Sequence, residues 1–187
     1  MILTVASGKG GTGKTLLSTS LALALQERQP LLFLDCDVEE PNARFFLKPQ
    51  ELLKEPAHVC VPEIDKDRCS FCGTCARICA FNALAVLPDD VLVFEDLCHS
   101  CGGCSLLCPE QVIREKPKRI GSIYQGEIGP ITFVEGRLDV GQVLAPPLIR
   151  EVKRRISGPG ITVIDAPPGT SCPVIETARG SDFVLLV

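Results

Sequence analysis

The stretch that decides the fold runs from residue 8 to residue 15 and reads Gly8-Lys9-Gly10-Gly11-Thr12-Gly13-Lys14-Thr15. It matches the phosphate-loop pattern G-x-x-x-x-G-K-[ST] at every fixed position. The apolar run Ile2–Ala6 before it predicts a buried strand, and Thr15–Gln26 after it, apolar on nearly every side, predicts a buried helix. In such a loop successive backbone N–H groups turn inward around phosphates, and the helix dipole adds positive potential. The sequence therefore predicts an ATP site over residues 8–15, where Lys14 contacts the β- and γ-phosphates and the Thr15 hydroxyl binds Mg²⁺.

The remaining apolar segments predict an α/β fold with a mainly parallel sheet. Leu31–Leu34 reads as a second buried strand, which completes a right-handed βαβ unit. Four further segments are a hairpin of 122–129 and 131–139 around Gly129-Pro130, an amphipathic helix over 144–156, a strand at 161–164, and a last strand at 183–187. Because the sequence stops at this last strand, we expect that the C-terminal part of the domain is missing, as in a truncated form.

Two acidic residues follow predicted strands and complete the nucleotide site. Asp37 comes just after the second strand, and Asp165 ends the strand that begins at Ile161. Both should lie at the carboxyl edge of the sheet, near the phosphates. We predict that Asp165 acts on Mg²⁺ through water and that Asp37 orients the attacking water, with Asp35 as a weaker candidate. The predicted Mg²⁺ set is Thr15, Asp37 and Asp165.

Composition limits the classes of function. The chain has 187 residues, a net charge of −4 and a pI of about 5.3, which argues against binding to nucleic acid or a membrane surface through bulk charge. No apolar run is long enough to span a membrane. The 11 cysteines are unusual. Because the first residues lack a basic, then apolar, leader pattern, we expect a reducing, cytoplasmic setting in which metal or redox chemistry is favoured over disulfides.

Eight of the cysteines form an internal repeat with metal-ligand spacing. Both copies read C-x-x-C-x-x-C-x-x-x-C, and each cysteine of the second copy follows its counterpart by 29 residues. This is the run of bacterial two-cluster ferredoxins, in which the fourth cysteine of each copy ligates the other cluster. The predicted [4Fe–4S] ligand sets are Cys69, Cys72, Cys75 and Cys108 for the first cluster, and Cys79, Cys98, Cys101 and Cys104 for the second. Zinc is the main alternative, because C-x-x-C pairs also form tetrahedral zinc sites.

The loop and its acidic partners resemble those of one ATPase superfamily. Lys9, a second lysine at the start of the loop, resembles the deviant Walker A box of the MinD/Mrp/ParA class, which also contains the nitrogenase iron protein. Asp35-Cys36-Asp37 followed by Pro41-Asn42 resembles that class's switch I, and Asp165–Thr170 resembles the switch II of Mrp-like members. The resemblance implies an ATP-dependent homodimer in which Lys9 reaches the partner's nucleotide. The implied catalytic set is Lys9, Lys14 and Asp37.

Together these patterns predict an ATPase domain over residues 1–57 and 118–187, interrupted by a ferredoxin-type α+β insert over residues 58–117. The first hypothesis is ATP-gated electron transfer through two [4Fe–4S] clusters to a redox partner. The alternative is an Mrp-type ATPase that assembles iron–sulfur clusters or carries them to an apo-acceptor protein. ParA-like positioning of cargo is the least favoured, because it gives the cysteines no role.

A few other residues carry weaker signals. Cys36, Cys60 and Cys172 lie outside the repeat and are interpreted as small buried or partly buried thiols. His99 is interpreted as a surface side chain despite its place in the second motif. The basic run Lys116-Pro117-Lys118-Arg119 is interpreted as a solvated exit from the insert, or less favourably as a docking patch for an acidic partner.

Overall fold

The computed structural model describes residues 1–27 and 29–187. The strands are β1 Ile2–Ser7, β2 Leu31–Asp35, β3 Gln50–Ile64, β4 Leu84–Val86, β5 Val91–Val93, β6 Ile113–Ile128, β7 Ile131–Leu138, β8 Ile161–Pro168 and β9 Phe183–Leu186. The helices are α1 Lys14–Leu25, α2 Arg44–Leu47, α3 Thr74–Ile78, α4 Gly103–Leu106, α5 Ala145–Lys153 and α6 Cys172–Ala178. Short 3₁₀ turns span Lys66–Arg68 and Glu95–Leu97.

The main sheet has the strand order β3-β6-β7-β2-β8-β1-β9. The five strands from β7 to β9 in this order are parallel, and β6 is antiparallel to β7. The prediction of an α/β fold with a mainly parallel sheet is confirmed. Because β1, β2 and β8 are neighbours and run the same way, the loops after them meet at one edge of the sheet.

The chain divides into two compact units. The first contains residues 1–57, 120–141 and 145–187, and the second contains residues 58–119 and 142–144. The short segment 142–144 therefore belongs to the second unit, although the sequence placed it with the ATPase domain. The boundaries between the units fall within β3 and β6.

In the first unit, one core lies between the central strands and the helices. The rings of Phe33 on β2 and Phe133 on β7 stack with centroids 5.9 Å apart, and neither is exposed. Ala22 of α1 and Val163 of β8 belong to the same buried cluster. Each large apolar side chain removed from water in this way contributes roughly 1.5–3 kcal/mol. This packing fixes β2 and β8, whose ends carry the acidic residues of the candidate site.

The prediction that the helix after the loop is buried on nearly every side is wrong for α1. Leu16 is 57% exposed and Leu23 is 41% exposed, whereas Ser18 and Thr19 face inward. The two inward hydroxyls are satisfied within the helix, because both donate to the carbonyl oxygen of Thr15, at 3.0 and 2.7 Å. A polar side chain whose hydrogen bond is made locally can be buried at little cost, so composition alone did not identify the packed face.

Sequence reasoning also missed β3 and the first part of β6. β3 is mostly exposed and contains Pro56 and Pro62, and proline is confined largely to edge strands. The start of β6 carries the basic run 116–119. Both segments lack the alternation of apolar and polar residues that identifies a half-buried strand. The hairpin of β6 and β7 is present, with Ile128 paired to Ile131.

Candidate functional sites

The phosphate loop connects β1 to α1 and has an unusual backbone. Gly11 and Gly13 have φ values of +76° and +90°, a region that residues with a Cβ rarely adopt. α1 begins at Lys14 without a side-chain cap, so its first N–H groups are available to an anion. The Thr12 hydroxyl oxygen is buried and has no hydrogen-bond partner among the described residues. A loop with uncapped N–H groups and an orphaned buried hydroxyl fits a phosphate-bearing ligand.

One carboxylate, that of Asp165, contacts both predicted ligand-binding side chains at the end of the loop, Lys14 and Thr15. Asp165 is fully buried, and its Oδ1 lies 2.9 Å from Lys14 Nζ, whose side chain is only 7% exposed. The Thr15 hydroxyl donates to Asp165 Oδ2 at 2.6 Å. The structure therefore brings Lys14, Thr15 and Asp165 into one contact network.

Asp35 shapes the loop that follows β2. It is fully buried and accepts hydrogen bonds from three backbone N–H groups, those of Asp37 at 3.1 Å, Asn42 at 3.1 Å and Ala43 at 3.0 Å. Burial raises the pKa of Asp35 well above its usual range, and the nearby Asp165 raises it further. Sequence reasoning ranked Asp35 below Asp37 and did not predict this structural role, for which no signal in the sequence was available.

Asp37 lies near Lys14 in a partly desolvated position. Its exposed fraction is 9%. Burial raises the pKa of Asp37 to about 6, while Lys14 opposes this shift and Asp165 adds to it. Asp37 is therefore a carboxyl group that changes protonation near neutral pH, a property suited to proton exchange or to orienting a water molecule.

Lys9 is exposed on the loop. Its backbone carbonyl accepts a hydrogen bond from the Ser7 hydroxyl at 2.9 Å, which anchors the start of the loop to β1. Its predicted contact with a partner's nucleotide stays a prediction.

The backbone of the second unit repeats the sequence repeat. The two 3₁₀ turns precede the two cysteine motifs, and α3 and α4 lie within them, each pair beginning 29 residues apart. Three pairs of residues at the same offset share positive φ, namely Phe71 and Ser100, Gly73 and Gly102, and Asn82 and Gln111. Non-glycine residues seldom take this conformation. Its recurrence at matched positions shows that both motifs fold in the same way.

Each predicted set of four cysteines lines its own cavity. One small cavity is lined by Cys69, Cys72, Cys75 and Cys108, and a second is lined by Cys79, Cys98, Cys101 and Cys104. The fourth cysteine of each motif lies at the cavity of the other motif, as in the predicted exchange of ligands. The two repeated motifs therefore form two separate cavities, and each cavity is lined by cysteines of both motifs.

The sulfur atoms also have local hydrogen bonds. The Phe71 N–H donates to Cys69 Sγ at 3.4 Å, and the Ala83 N–H donates to Cys79 Sγ at 3.3 Å. A hydrogen bond with Thr74 lowers the pKa of Cys72, whereas burial raises the pKa of Cys75. N–H donors near sulfur stabilise thiolate ligands. Four cysteine thiols around a mainly apolar space form a donor set that fits a [4Fe–4S] cluster.

Among the described residues, no group of three or more His, Cys, Asp or Glu side chains converges on a position for a single metal ion. The four cysteines of a cubane each bind a different iron atom. Convergence of their sulfur atoms on one point is therefore not required for this cofactor.

Two of the three remaining cysteines differ from their predicted surroundings. Cys36 is fully buried, but Cys60 and Cys172 are exposed, so the prediction of buried or partly buried thiols is wrong for these two. Cys60 borders the second cysteine cavity. The basic run lies in β6 where the second unit ends, and its residues are partly or fully exposed, in agreement with a solvated exit from the insert. Two of its lysines are paired: Lys116 Nζ lies 3.0 Å from Glu95 Oε1, and the Lys118 ammonium contacts Asp96.

His99 is half-buried and stacks on Phe81, with ring centroids 3.6 Å apart. The side chain is therefore partly exposed, as the prediction of a surface position requires, but it is also packed against a ring. Both residues line the second cysteine cavity.

The fold and the loop define a P-loop nucleotide-binding protein, and comparison with known proteins identifies the family. Residues 3–159 match the CobQ/CobB/MinD/ParA nucleotide binding domain, and the chain belongs to this family. The predicted membership in the MinD/ParA superfamily is confirmed.

Two curated relatives and one solved structure are similar to this chain. The uncharacterized protein MJ0578 of Methanocaldococcus jannaschii is 38% identical over 191 residues, covering 100% of this chain and 67% of the relative. The uncharacterized protein MJ0579 of the same organism is 30% identical over 190 residues, covering 100% and 68%. The septum site-determining protein MinD of Pyrococcus horikoshii OT3, complexed with Mg-ADP, is 18% identical with a TM-score of 0.48, and the chain spans 56% of it.

Of the helices in residues 1–27 and 29–187, none has both the length and the apolar character that a membrane span requires.

Proposed function

We propose that the protein is an ATP-binding iron–sulfur protein, a dimeric ATPase whose nucleotide state gates electron transfer through two [4Fe–4S] clusters. The observation that carries the proposal is the division of the eight repeat cysteines around two cavities, four to each, in the sets that ferredoxin spacing predicts. The ATPase domain would comprise residues 1–57 and 118–187, and residues 58–117 would form the ferredoxin insert. When bound, the clusters would supply one-electron transfer steps.

The nucleotide site would work through residues of the loop and the sheet edge. The N–H groups of residues 8–13 would surround the phosphates, Lys14 would bind the β- and γ-phosphates, and Thr15 would ligate Mg²⁺. Asp165 now holds both of these side chains. Lys14 would have to leave its ion pair with Asp165 to contact phosphate, and Asp165 would then be available to act on Mg²⁺ through water.

Two chain segments are placed to respond to this exchange. Asp165 lies in β8, which leads through Pro168 to α6. Asp35, its neighbour in register on β2, holds the backbone of residues 37, 42 and 43. Loss of the Lys14 partner would leave the negative charge of Asp165 uncompensated beside Asp35, and charges in a buried setting interact strongly. These two segments would be the switches of the ATPase, and Asp37, with its pKa of about 6, would orient the attacking water.

The dimer and the role of Lys9 complete the proposal. An exposed lysine at the start of the loop is free to reach the nucleotide of a second copy, as in the resemblance to deviant Walker A ATPases. In this proposal the dimer forms with ATP and separates after hydrolysis. The Lys9→Ala variant would then bind ATP as a monomer, which size-exclusion chromatography with and without Mg-ATP measures.

The central experiment measures iron and acid-labile sulfide in protein purified without oxygen. Two cubanes require eight irons per chain. Cys72→Ser removes a ligand of the first set and Cys101→Ser one of the second, so each should lower iron and sulfide by up to half. The matched control is Cys172→Ser, since Cys172 is exposed and lines neither cavity. Absence of iron together with bound zinc would contradict the proposal.

A second experiment separates gated electron transfer from cluster assembly. The protein is reduced with dithionite and freed of excess reductant. One sample then receives an oxidised viologen dye as electron acceptor and another receives an apo-ferredoxin as cluster acceptor, and oxidation state and iron content are followed in both with and without Mg-ATP. ATP-dependent oxidation with iron retained supports gated transfer, whereas ATP-dependent loss of iron to the acceptor supports the Mrp-type alternative. The Lys14→Ala variant should abolish both ATP effects, because it removes the phosphate-binding lysine.

A further inference from the structure

A cluster of positive side chains surrounds the protein's one tyrosine, in the first unit and away from the phosphate loop. The basic cluster consists of Arg44, Lys54 and Arg137. Their charged groups lie 5.7, 5.5 and 5.6 Å from the centre of the Tyr124 ring. Each contact alone is an ordinary cation–π interaction. Three cations that share one ring repel one another, so their grouping needs negative charge nearby.

The negative charge near the three cations is the carboxylate of Glu135, which compensates only one of their three positive charges. Its Oε1 lies 3.2 Å from Arg44 Nη2 and 3.5 Å from Arg137 Nη2. The side chain has no exposed surface, and its Oε2 has no hydrogen-bond partner among the described residues. The basic cluster therefore keeps an excess of positive charge above a buried carboxyl group whose second oxygen is unused. An unused buried polar atom is costly unless a ligand or water satisfies it.

Tyr124 of the basic cluster and Asp165 of the nucleotide site lie at matching positions across one sheet. Tyr124 pairs with Glu135, Glu135 pairs with Asp35, and Asp35 pairs with Asp165 on four neighbouring strands. Neighbouring strands are about 4.8 Å apart, which puts Tyr124 roughly 14 Å from Asp165. This separation is too large for one phosphate to contact both sites, so a ligand at the basic cluster would be distinct from the phosphates held by the loop.

We propose that the basic cluster and Tyr124 form a second binding site, for a small molecule that carries a carboxylate or phosphate group. The planar guanidinium groups of Arg44 and Arg137 present paired donors that match either anion. Both arginines are partly exposed, and so is Tyr124, so a solute can reach them. Because Glu135 has no exposed surface, it acts on the anion through the two arginines that it positions. The site depends neither on iron–sulfur clusters nor on ATP hydrolysis.

The test uses citrate and inorganic phosphate as probes. Tyr124 is the only tyrosine and the chain has no tryptophan, so intrinsic fluorescence reports directly on this site. Titration of the full chain, with calorimetry alongside, gives the dissociation constant. The Lys14→Met, Asp165→Leu background removes the phosphate-binding lysine of the loop without leaving an unpaired buried charge. Citrate and phosphate should both change the tyrosine emission in this background, and added salt should weaken the binding.

Three variants and one control decide the outcome. Arg44→Gln and Arg137→Gln should each weaken binding at least tenfold, because each removes a charge-assisted pair of donors. Lys54→Gln should weaken it less, and since Lys54 is exposed this variant stays informative if an arginine variant does not fold. The control is Arg150→Gln, whose arginine is 41% exposed and pairs with Glu176 elsewhere in the same unit. Equal affinity in the variants and the control, or no binding of either probe at millimolar concentration, would overturn the proposal.

A fourth variant tests the part played by the carboxyl group. Glu135→Gln keeps the shape of the side chain, removes its negative charge and offers an amide donor in place of the unused oxygen. It should tighten binding of citrate. Weaker binding in this variant would show that the Glu135 charge is needed to hold the arginines in place and would refute the reasoning that this charge competes with the anion for them.

Discussion

Replacement of Lys14 by methionine tests whether Asp165 is paired as the structure indicates. The Lys14 ammonium lies 2.9 Å from a carboxylate with no exposed surface, and its own side chain is 7% exposed. Methionine has a similar length and no charge. Among the described residues, the Asp165 side chain would then keep only its hydrogen bond from the Thr15 hydroxyl. Removal of one member of a buried ion pair typically costs about 3–5 kcal/mol, so we expect the free energy of unfolding of the nucleotide-free protein to fall by that amount.

The paired substitution separates the loss of the ion pair from the loss of packing. In the double variant Lys14→Met, Asp165→Leu no buried charge is left uncompensated. Replacement of a buried ion pair by apolar groups of similar volume is often neutral or stabilising. The double variant should therefore recover most of the stability lost in Lys14→Met, with a coupling free energy of about 2 kcal/mol or more between the two positions.

Urea unfolding under reducing conditions, followed by tyrosine fluorescence, is the appropriate assay. Tyr124 lies in the first unit together with both substituted residues, so its emission reports on the unit that is perturbed. Lys9→Met is the matched control, since Lys9 is an exposed lysine of the same loop and its replacement should cost less than about 0.5 kcal/mol. A loss of less than about 1 kcal/mol in Lys14→Met, or additive effects in the double variant, would refute the reasoning.

Three further predictions concern other parts of the molecule. Burial raises the pKa of Glu135 from 4.5 to about 7, so its ionisation opposes folding, and the free energy of unfolding should fall as the pH rises from about 4.5 to about 7. Glu135→Gln should reduce this decline by roughly 1–3 kcal/mol, measured by urea unfolding at both ends of the range. The reduction potentials of the proposed clusters should respond to nearby charges, because a reduced cluster carries more negative charge. In a potentiometric titration, Glu115→Gln at the second cavity should raise the potential of its cluster, and Arg77→Gln beside Cys72 should lower that of the first cluster, each by up to about 59 mV. Gly136→Ala would place a Cβ 2.7 Å from valine methyl groups on two sides and should cost roughly 1–3 kcal/mol in thermal or urea unfolding, whereas Gly8→Ala, with open space around it, should not.

Local pattern was sufficient for much of the fold. The phosphate loop could be predicted because its glycines, Lys14 and Thr15 form a fixed order between a strand and a helix, and a backbone of that shape needs those residues. The hairpin after Gly129 and the amphipathic helix α5 followed from their periodicity, although α5 ends at Lys153, earlier than predicted. The grouping of the eight cysteines around two cavities followed from the ferredoxin-type repeat, in which three cysteines of each copy share a loop and the fourth belongs with the other copy. That these groups bind clusters stays a prediction.

Other features depend on contacts between residues far apart in the sequence. α1 could not be oriented from its composition, because leucines lie on its exposed face and hydroxyls on its buried face. Glu135 carried no signal at all, since an isolated glutamate in an apolar strand has no motif, and only the register with Asp35 and Tyr124 places it beside two arginines.

The sequence by itself determined the chemistry available to this protein: a phosphate loop, acidic residues after two strands, and eight cysteines in a twofold repeat. Only the tertiary structure decided how those groups are used. In the folded chain, Asp35 accepts hydrogen bonds from the backbone of its own loop, and Asp165 pairs with Lys14 and Thr15. One oxygen of Glu135 has no hydrogen-bond partner among the described residues. The physical reason is that motifs specify local backbone and residue type, whereas burial, charge pairing and hydrogen-bond satisfaction depend on strands that meet across the sheet.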